Sequence, residues 1–173
     1  ELGKQYKAHF PIPDTVDHLF NGLDESSYID LLKKIIIGNH QPENVIILEI
    51  EPDKQKTWID FYLTRSMLDI EPVCISKIIK EGKDLFYMKN GVKTKIHRIY
   101  DRLIFDELQA RKDLLLQWNL TDEVNVEWVC HPNWFFRISK YTLPFIKSRY
   151  VPETIFLNEL KSIPEDLVNW VLN

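Results

Sequence analysis

The chain of 173 residues has few of the residues that mark specialised classes of protein. Only two cysteines occur, Cys74 and Cys130, and no CxxC or Cys/His pattern has the spacing of a zinc site. The chain also lacks an apolar run near the roughly 20 residues of a membrane span, and it lacks a signal-peptide pattern. We therefore expect two buried, reduced thiols and a cytoplasmic location.

Glycine is scarce as well, with five residues in the whole chain. None of them lies in a GxGxxG fingerprint or a P-loop, the glycine-rich patterns that hold nucleotide phosphates. The GxSxG nucleophile elbow and the HExxH zinc motif are absent too. The sequence therefore assigns no catalytic residue and no metal ligand.

The remaining composition is ordinary for a folded domain, with 45% hydrophobic and 28% charged residues. The formal net charge of −4 argues against a dedicated nucleic-acid-binding protein, because such proteins carry a basic excess. The length suits one domain. We expect a single α/β domain over residues 1–173, with an irregular arm over 1–23 and a tail over 151–173 that leads into a further C-terminal domain.

Short apolar runs alternate with segments of helical periodicity along the chain. Strands covered on both faces are predicted at residues 45–50, 73–75, 96–100 and 126–129. Helices are predicted from an N-cap at Asp24 through residue 37, at residues 56–69 and 105–118, and from residue 134. Asn90-Gly91 between two strand-like runs predicts a β-hairpin. The whole pattern predicts a Rossmann-like, three-layer α/β domain with a mostly parallel central sheet, helices on both faces and one β-hairpin.

Two arginines near the third predicted strand are the main candidates for a binding site. Alternation along a strand would put Arg98 and Arg102 on one face, where both could point into a cleft. Planar guanidinium groups bind carboxylates and phosphates through paired hydrogen bonds. An equally favoured interpretation pairs both arginines with the neighbouring carboxylates of Asp101, Asp106 or Glu107.

The order of the segments resembles a known family. The βαβ unit, the hairpin and the segments at residues 96–104, 126–133 and 136–140 are similar to the region before the core of circularly permuted ATP-grasp proteins of the glutathionylspermidine-synthase-like kind. In that family a Rossmann-like domain is followed by a Val-x-Lys-Pro strand and a glycine-containing phosphate loop. The resemblance covers roughly residues 44–173.

The resemblance implies roles for particular residues. Arg102 matches the arginine that ends the earlier strand, and Ser139-Lys140 matches a Ser-Lys pair whose lysine contacts the nucleotide. Arg98 and Arg102 would then hold a small anionic substrate. The next lysine of the family falls at or just past Asn173, where this chain departs from the pattern.

The resemblance also implies an activity for the parent protein. It would be an ATP- and magnesium-dependent carboxylate–amine ligase, with this chain as its N-terminal, substrate-side domain and a C-terminal ATP-grasp domain as its partner in the same chain. Because the phosphate loop and the magnesium ligands would lie beyond residue 173, we expect the chain alone to be inactive and without cofactor. The alternative is a non-catalytic α/β module that binds a protein or a small ligand, which the fold alone does not exclude.

Overall fold

The computed structural model describes residues 2–13, 15, 16, 19, 22–160 and 162. The chain divides into two compact units, Glu1–His131 and Pro132–Asn173, and each is described by itself. Two compact units are not necessarily two domains, because a domain is a part of the chain that could fold by itself. The single domain over residues 1–173 therefore stays a prediction.

The first unit contains a parallel sheet and an antiparallel sheet. The strands in the described residues are β1 Val45–Glu49, β2 Glu71–Cys74, β3 Ile79–Glu81, β4 Asp84–Lys89, β5 Val92–Ile96, β6 Arg98–Asp101 and β7 Glu127–Val129. The parallel sheet has the order β2-β1-β6-β7, and the antiparallel sheet has the order β3-β4-β5. The predicted α/β class with a mostly parallel sheet is confirmed.

Strand β1 lies at the centre of the parallel sheet. All five of its residues are buried, as expected for a continuous apolar run between two covered faces. Ile46 and Leu48 point into one hydrophobic cluster, and Val45 and Ile47 point into the other. The alternation of side chains along a strand therefore builds both cores from one segment.

Two helices cover one face of the sheet, α2 Glu25–Ile36 and α3 Trp58–Leu68. A shorter helix, α1 Leu2–His9, precedes them. The predicted N-cap of α2 is confirmed, because the Ser27 N–H donates to Asp24 Oδ1 at 2.8 Å and the Ser27 hydroxyl accepts from the Asp24 N–H at 2.9 Å. After α2 ends, Gly38 takes a left-handed φ of 65°, the conformation that favours glycine at this position.

The opposite face is covered by the antiparallel sheet and by a segment that follows β6. Leu85, Tyr87 and Ile96 of the antiparallel sheet join the same buried cluster as Trp118, which is 1% exposed. The predicted hairpin is confirmed between β4 and β5, with Asn90 and Gly91 both at positive φ. Strand β3 was not predicted, since its three residues include two charged ones.

Three parts of the chain differ from the predicted elements. The strand predicted at 96–100 is divided, because β5 ends at Ile96 and β6 begins at Arg98. The helix predicted at 105–118 is wrong beyond α4, Phe105–Ala110. Leu114, Leu116 and Trp118 are buried or partly buried while Leu115 is exposed, and this period of two suits extended chain rather than helix.

The ends of the chain differ as well. The arm predicted to be irregular contains the helix α1, because the good helix formers of residues 2–9 precede the first proline, Pro11. The helix predicted from residue 134 is one turn, α5 Trp134–Arg137, followed by a 3₁₀ helix at Lys140–Phe145 that contains Pro144. The elements predicted at 164–168 and 169–173 lie outside the described residues.

Arg98 connects three elements at the amino end of the parallel sheet. Its guanidinium donates to the carbonyl oxygens of Ile35 and Ile36 at 2.9 and 3.0 Å, and these carbonyls belong to the last turn of α2. The same group is hydrogen-bonded to the Glu127 carboxylate on β7. Arg98 thus satisfies helix-end carbonyls that have no partner within the helix.

We expect Arg98→Ala to lower the free energy of unfolding by about 1–3 kcal/mol, because it leaves the carbonyls of Ile35 and Ile36 without their donor. Arg65→Ala is the matched control. It removes an exposed ion pair with Glu71 at 3.2 Å and should cost less than about 1 kcal/mol. Urea denaturation compares the two. Equal losses would show that Arg98 has no special structural role.

Candidate functional site

Polar side chains collect where the parallel strands end. Glu49, Cys74 and Asp101 are the last residues of β1, β2 and β6, and Arg102 follows Asp101 directly. In open α/β sheets, ligands bind beyond the carboxyl ends of the strands, where the loops diverge. A ligand-binding site of the first unit is therefore expected at this edge.

Arg102 is a partly buried cation at this edge. Its guanidinium carbon lies 5.5 Å from the centre of the Phe61 ring and 5.9 Å from that of Tyr100, within the range of cation–π contacts. Its backbone N–H donates to the Leu48 carbonyl at 3.1 Å. No carboxylate of the described residues lies within 4.0 Å of the guanidinium, so the predicted surface ion pair to a neighbouring carboxylate is not formed.

Glu49 is the most buried carboxylate of this edge, with 6% of its surface exposed. Its Oε1 accepts a hydrogen bond from the Ile50 N–H at 2.8 Å. Burial raises the pKa of the Glu49 carboxyl, the Ile50 hydrogen bond opposes this effect, and the nearby charges of Glu107 and Arg102 shift it up and down respectively.

Asp101 lies on the neighbouring strand, and its backbone pairs with Leu48 of β1. Burial raises the pKa of the Asp101 carboxyl to about 7. The Leu103 N–H donates to it at 3.2 Å and lowers the pKa, whereas repulsion from Glu49 raises it. A carboxyl group that titrates near neutral pH can both take up and release a proton.

Sequence reasoning singled out Arg102 but not the two carboxylates. Glu49 and Asp101 each stand at the end of an apolar run, and that position was the available signal. Together with Arg102 they form the cluster called here the carboxyl-edge site. Chemically, it offers one guanidinium that has no ion-pair partner among the described residues, and two carboxyls that hold protons more tightly than usual.

The structure does not bring Arg98 and Arg102 together. Both lie on the face covered by α2 and α3, as alternation along the strand predicted. They are four residues apart on extended chain, or about 13 Å, and stand at opposite ends of β6. One strand length therefore separates the two arginines, and the binding of one anion by both of them stays a prediction.

Ser139 and Lys140 belong to the second unit. The Ser139 hydroxyl accepts from the Tyr141 N–H at 3.3 Å and caps the 3₁₀ helix that starts at Lys140. Lys140 is exposed. The nucleotide contact of these two residues stays a prediction.

The first unit has a cavity of about 630 Å³ beside β2 and the loop that follows β1. A second cavity, of about 430 Å³, lies near the amino ends of β6 and β7 and is lined by His40, Lys95, His97 and residues 124–127. Neither Arg98 nor Arg102 lines either cavity.

The described residues contain no group of three or more His, Cys, Asp and Glu side chains arranged to hold a metal ion. The glycines with positive φ lie in separate turns, at residues 22, 38, 82 and 91, and form no phosphate loop.

Within the described part of the chain, no helix combines the length and the apolar character needed to cross a membrane.

The cysteines are both free thiols, as predicted, but only Cys74 is buried. Cys130 is exposed, which corrects the prediction of two buried thiols. It follows the end of β7 with a left-handed φ of 60°, so the chain turns away from the sheet there.

No protein-family model matches the chain, and no curated protein matches it either.

We expect Asp101→Asn to change how stability depends on pH. A folded-state pKa near 7, against an ordinary value of 3.8, means that the native wild type binds more protons than the unfolded chain between these values. Wild-type stability should therefore fall as pH rises from about 4 to 7, by about 1.4 kcal/mol per unit of pKa shift.

The asparagine variant lacks this group, so it should be more stable than the wild type at pH 8 and should approach it below pH 4. Urea denaturation across this pH range measures the difference, and ¹³C NMR of the Asp101 carboxyl gives its pKa directly. An Asp101 that titrates near pH 4 would contradict the account.

Proposed function

We propose that the chain is the N-terminal, substrate-side domain of a carboxylate–amine ligase of the ATP-grasp type, inactive by itself. The observation that carries the proposal is Arg102, a partly buried guanidinium without an ion-pair partner in the described residues, placed where a parallel α/β sheet binds ligands. The order of elements along the chain supports the family resemblance but does not by itself assign a function.

In this proposal Arg102 binds the carboxylate of the acid substrate. The Phe61 and Tyr100 rings lie beside the guanidinium, and charge-assisted hydrogen bonds are stronger in less polar surroundings than in water. Asp101, the preceding residue, would accept the proton of the attacking amine, because burial raises the pKa of its carboxyl to about 7. Arg98 has no part in binding, because its donors are engaged with α2 and β7.

The chemistry of phosphate transfer would come from the proposed C-terminal ATP-grasp domain of the same parent chain. ATP and magnesium would bind there, with Lys140 of the second unit leaning toward the nucleotide. The proposed location of the parent protein is the cytoplasm. The reading frame after Asn173 tests this arrangement, since Lys-Pro followed within about twenty residues by a glycine-containing loop is expected.

A specific observation favours the second candidate function, a non-catalytic interaction module. The outer surfaces of α2 and α3 expose large apolar side chains, which are Leu31, Ile35, Trp58, Ile59 and Tyr62 at 40–59%. Apolar patches of this kind often mark protein-binding surfaces. A reading frame that ends without the Lys-Pro and glycine-loop pattern would favour this function over the ligase.

We expect the isolated chain to bind glutarate, a simple dicarboxylate, at the carboxyl-edge site. In ¹⁵N NMR spectra the largest shifts should occur at residues 61 and 100–103. Arg102→Ala should weaken binding about ten- to hundredfold, the equivalent of a lost charge-assisted hydrogen-bond pair. Arg102→Lys keeps the positive charge but loses the planar guanidinium, so its affinity for glutarate should lie between those of the wild type and Arg102→Ala.

Lys112→Ala is the matched control, because it removes an exposed cation outside the site. Its affinity should equal that of the wild type. Glutarate shifts that persist unchanged in Arg102→Ala, or an equal loss in Lys112→Ala, would exclude Arg102 as the carboxylate ligand.

A further inference from the structure

The cavity beside β2 has the size and position of a ligand site. Its volume of about 630 Å³ lies within the range of about 300–1,000 Å³ that is usual for small-molecule pockets. Its walls are the loop at residues 51–54, the edge strand β2 with the turn that follows it, and the tip of the β4–β5 hairpin. The carboxyl ends of β1 and β2 meet there.

Part of the charge that lines this cavity is already neutralised. The Lys54 ammonium lies 2.5 Å from the Glu51 carboxylate. The Arg65 guanidinium lies 3.2 Å from the Glu71 carboxylate. The first pair lies within the loop at residues 51–54, and the second joins α3 to β2.

Two further cations line the cavity without such partners. Within the described residues, no carboxylate lies within 4.0 Å of the ammonium groups of Lys77 and Lys89. Lys77 ends the 3₁₀ turn that follows β2, and Lys89 ends β4. Asp53 lines the same cavity. The charged side chains that line the cavity, four cations and three carboxylates, therefore leave a net positive charge there.

The rest of the wall is suited to the body of a small molecule. Pro52, Val73 and Met88 give an apolar surface, and the Cys74 thiol accepts a hydrogen bond from the Glu51 N–H at 3.2 Å. Glu51 holds a left-handed φ of 42°, which non-glycine residues rarely adopt. Such backbone strain persists where the surroundings fix it, and it concentrates at ligand sites.

From these observations we propose that the cavity binds a small organic anion, with Lys77 and Lys89 as the cations that attract its carboxylate or phosphate group and with its apolar body against Pro52 and Val73. The site shares no residue with the carboxyl-edge site. It therefore stands whether or not the chain belongs to a ligase, and an experiment on one site leaves the other untouched.

The Cys74 thiol allows a direct test, because the chain has only one other cysteine. In a Cys130→Ser background, the rate of alkylation of Cys74 by iodoacetamide is followed by mass spectrometry. Phenyl phosphate and benzoate are the anionic probes, and benzyl alcohol is the neutral control. We expect at least one anion to slow alkylation tenfold or more, in a saturable manner, while benzyl alcohol has little effect.

The probe that protects at the lower concentration identifies the class of ligand, phosphate ester or carboxylate. ¹⁵N NMR titration with the same probes gives a second measurement, with shifts expected at residues 74–77 and 87–90. This measurement decides the matter if the buried thiol reacts too slowly to follow.

Lys77→Ala combined with Lys89→Ala should raise the probe concentration needed for half-maximal effect tenfold or more. Lys93→Ala, which removes a cation on β5 outside the cavity, should leave it unchanged. Three results would overturn the proposal: no effect of either anion by both measurements, full affinity in the double variant, or equal protection by benzyl alcohol.

Discussion

The burial of β1 on both faces is the constraint on which the first unit depends. A strand without an exposed face must satisfy its backbone groups through two neighbouring strands and its side chains through two layers. Strands β2 and β6 form hydrogen bonds with the backbone of β1. Helices α2 and α3 cover its side chains on one face, and the antiparallel sheet with Trp118 covers them on the other. The five residues from Val45 to Glu49 thus set the position of nearly every other element.

The same constraint produces the carboxyl-edge site. Because β1 and β6 run in parallel with Leu48 opposite Asp101, the residues that end both strands reach the same edge of the sheet. Glu49 and Asp101 arrive there while still surrounded by the core, so burial raises the pKa of both carboxyl groups. Arg102, one residue further, holds its charge against aromatic rings instead of a carboxylate. The chemistry of this edge is a consequence of where the core ends.

The strands of the parallel sheet, the hairpin and the N-cap of α2 could be predicted from the sequence, because each depends on local chemistry: apolar runs, Asn-Gly and Asp24. The extent of α4 could not, since Leu114, Leu116 and Trp118 take extended chain only to reach a core built by distant strands. The site was predicted in part. Arg102 was predicted, but strand alternation alone did not show that the Arg98 guanidinium would form hydrogen bonds with the end of α2. The raised pKa values of the two carboxyls depend on burial, which cannot be read from the sequence.

The central claim is that this chain supplies the acid-binding half of a ligase and no phosphate-transfer machinery. The most direct test measures ADP release from magnesium-ATP, first with residues 1–173 alone and then with the protein extended through its own reading frame. The account predicts no release by the chain alone. It predicts release by the extended protein that requires both an acid and an amine, with Arg102→Ala raising the acid concentration needed. Magnesium-dependent ATP hydrolysis by residues 1–173 alone, lost on a point substitution within them, would contradict the account.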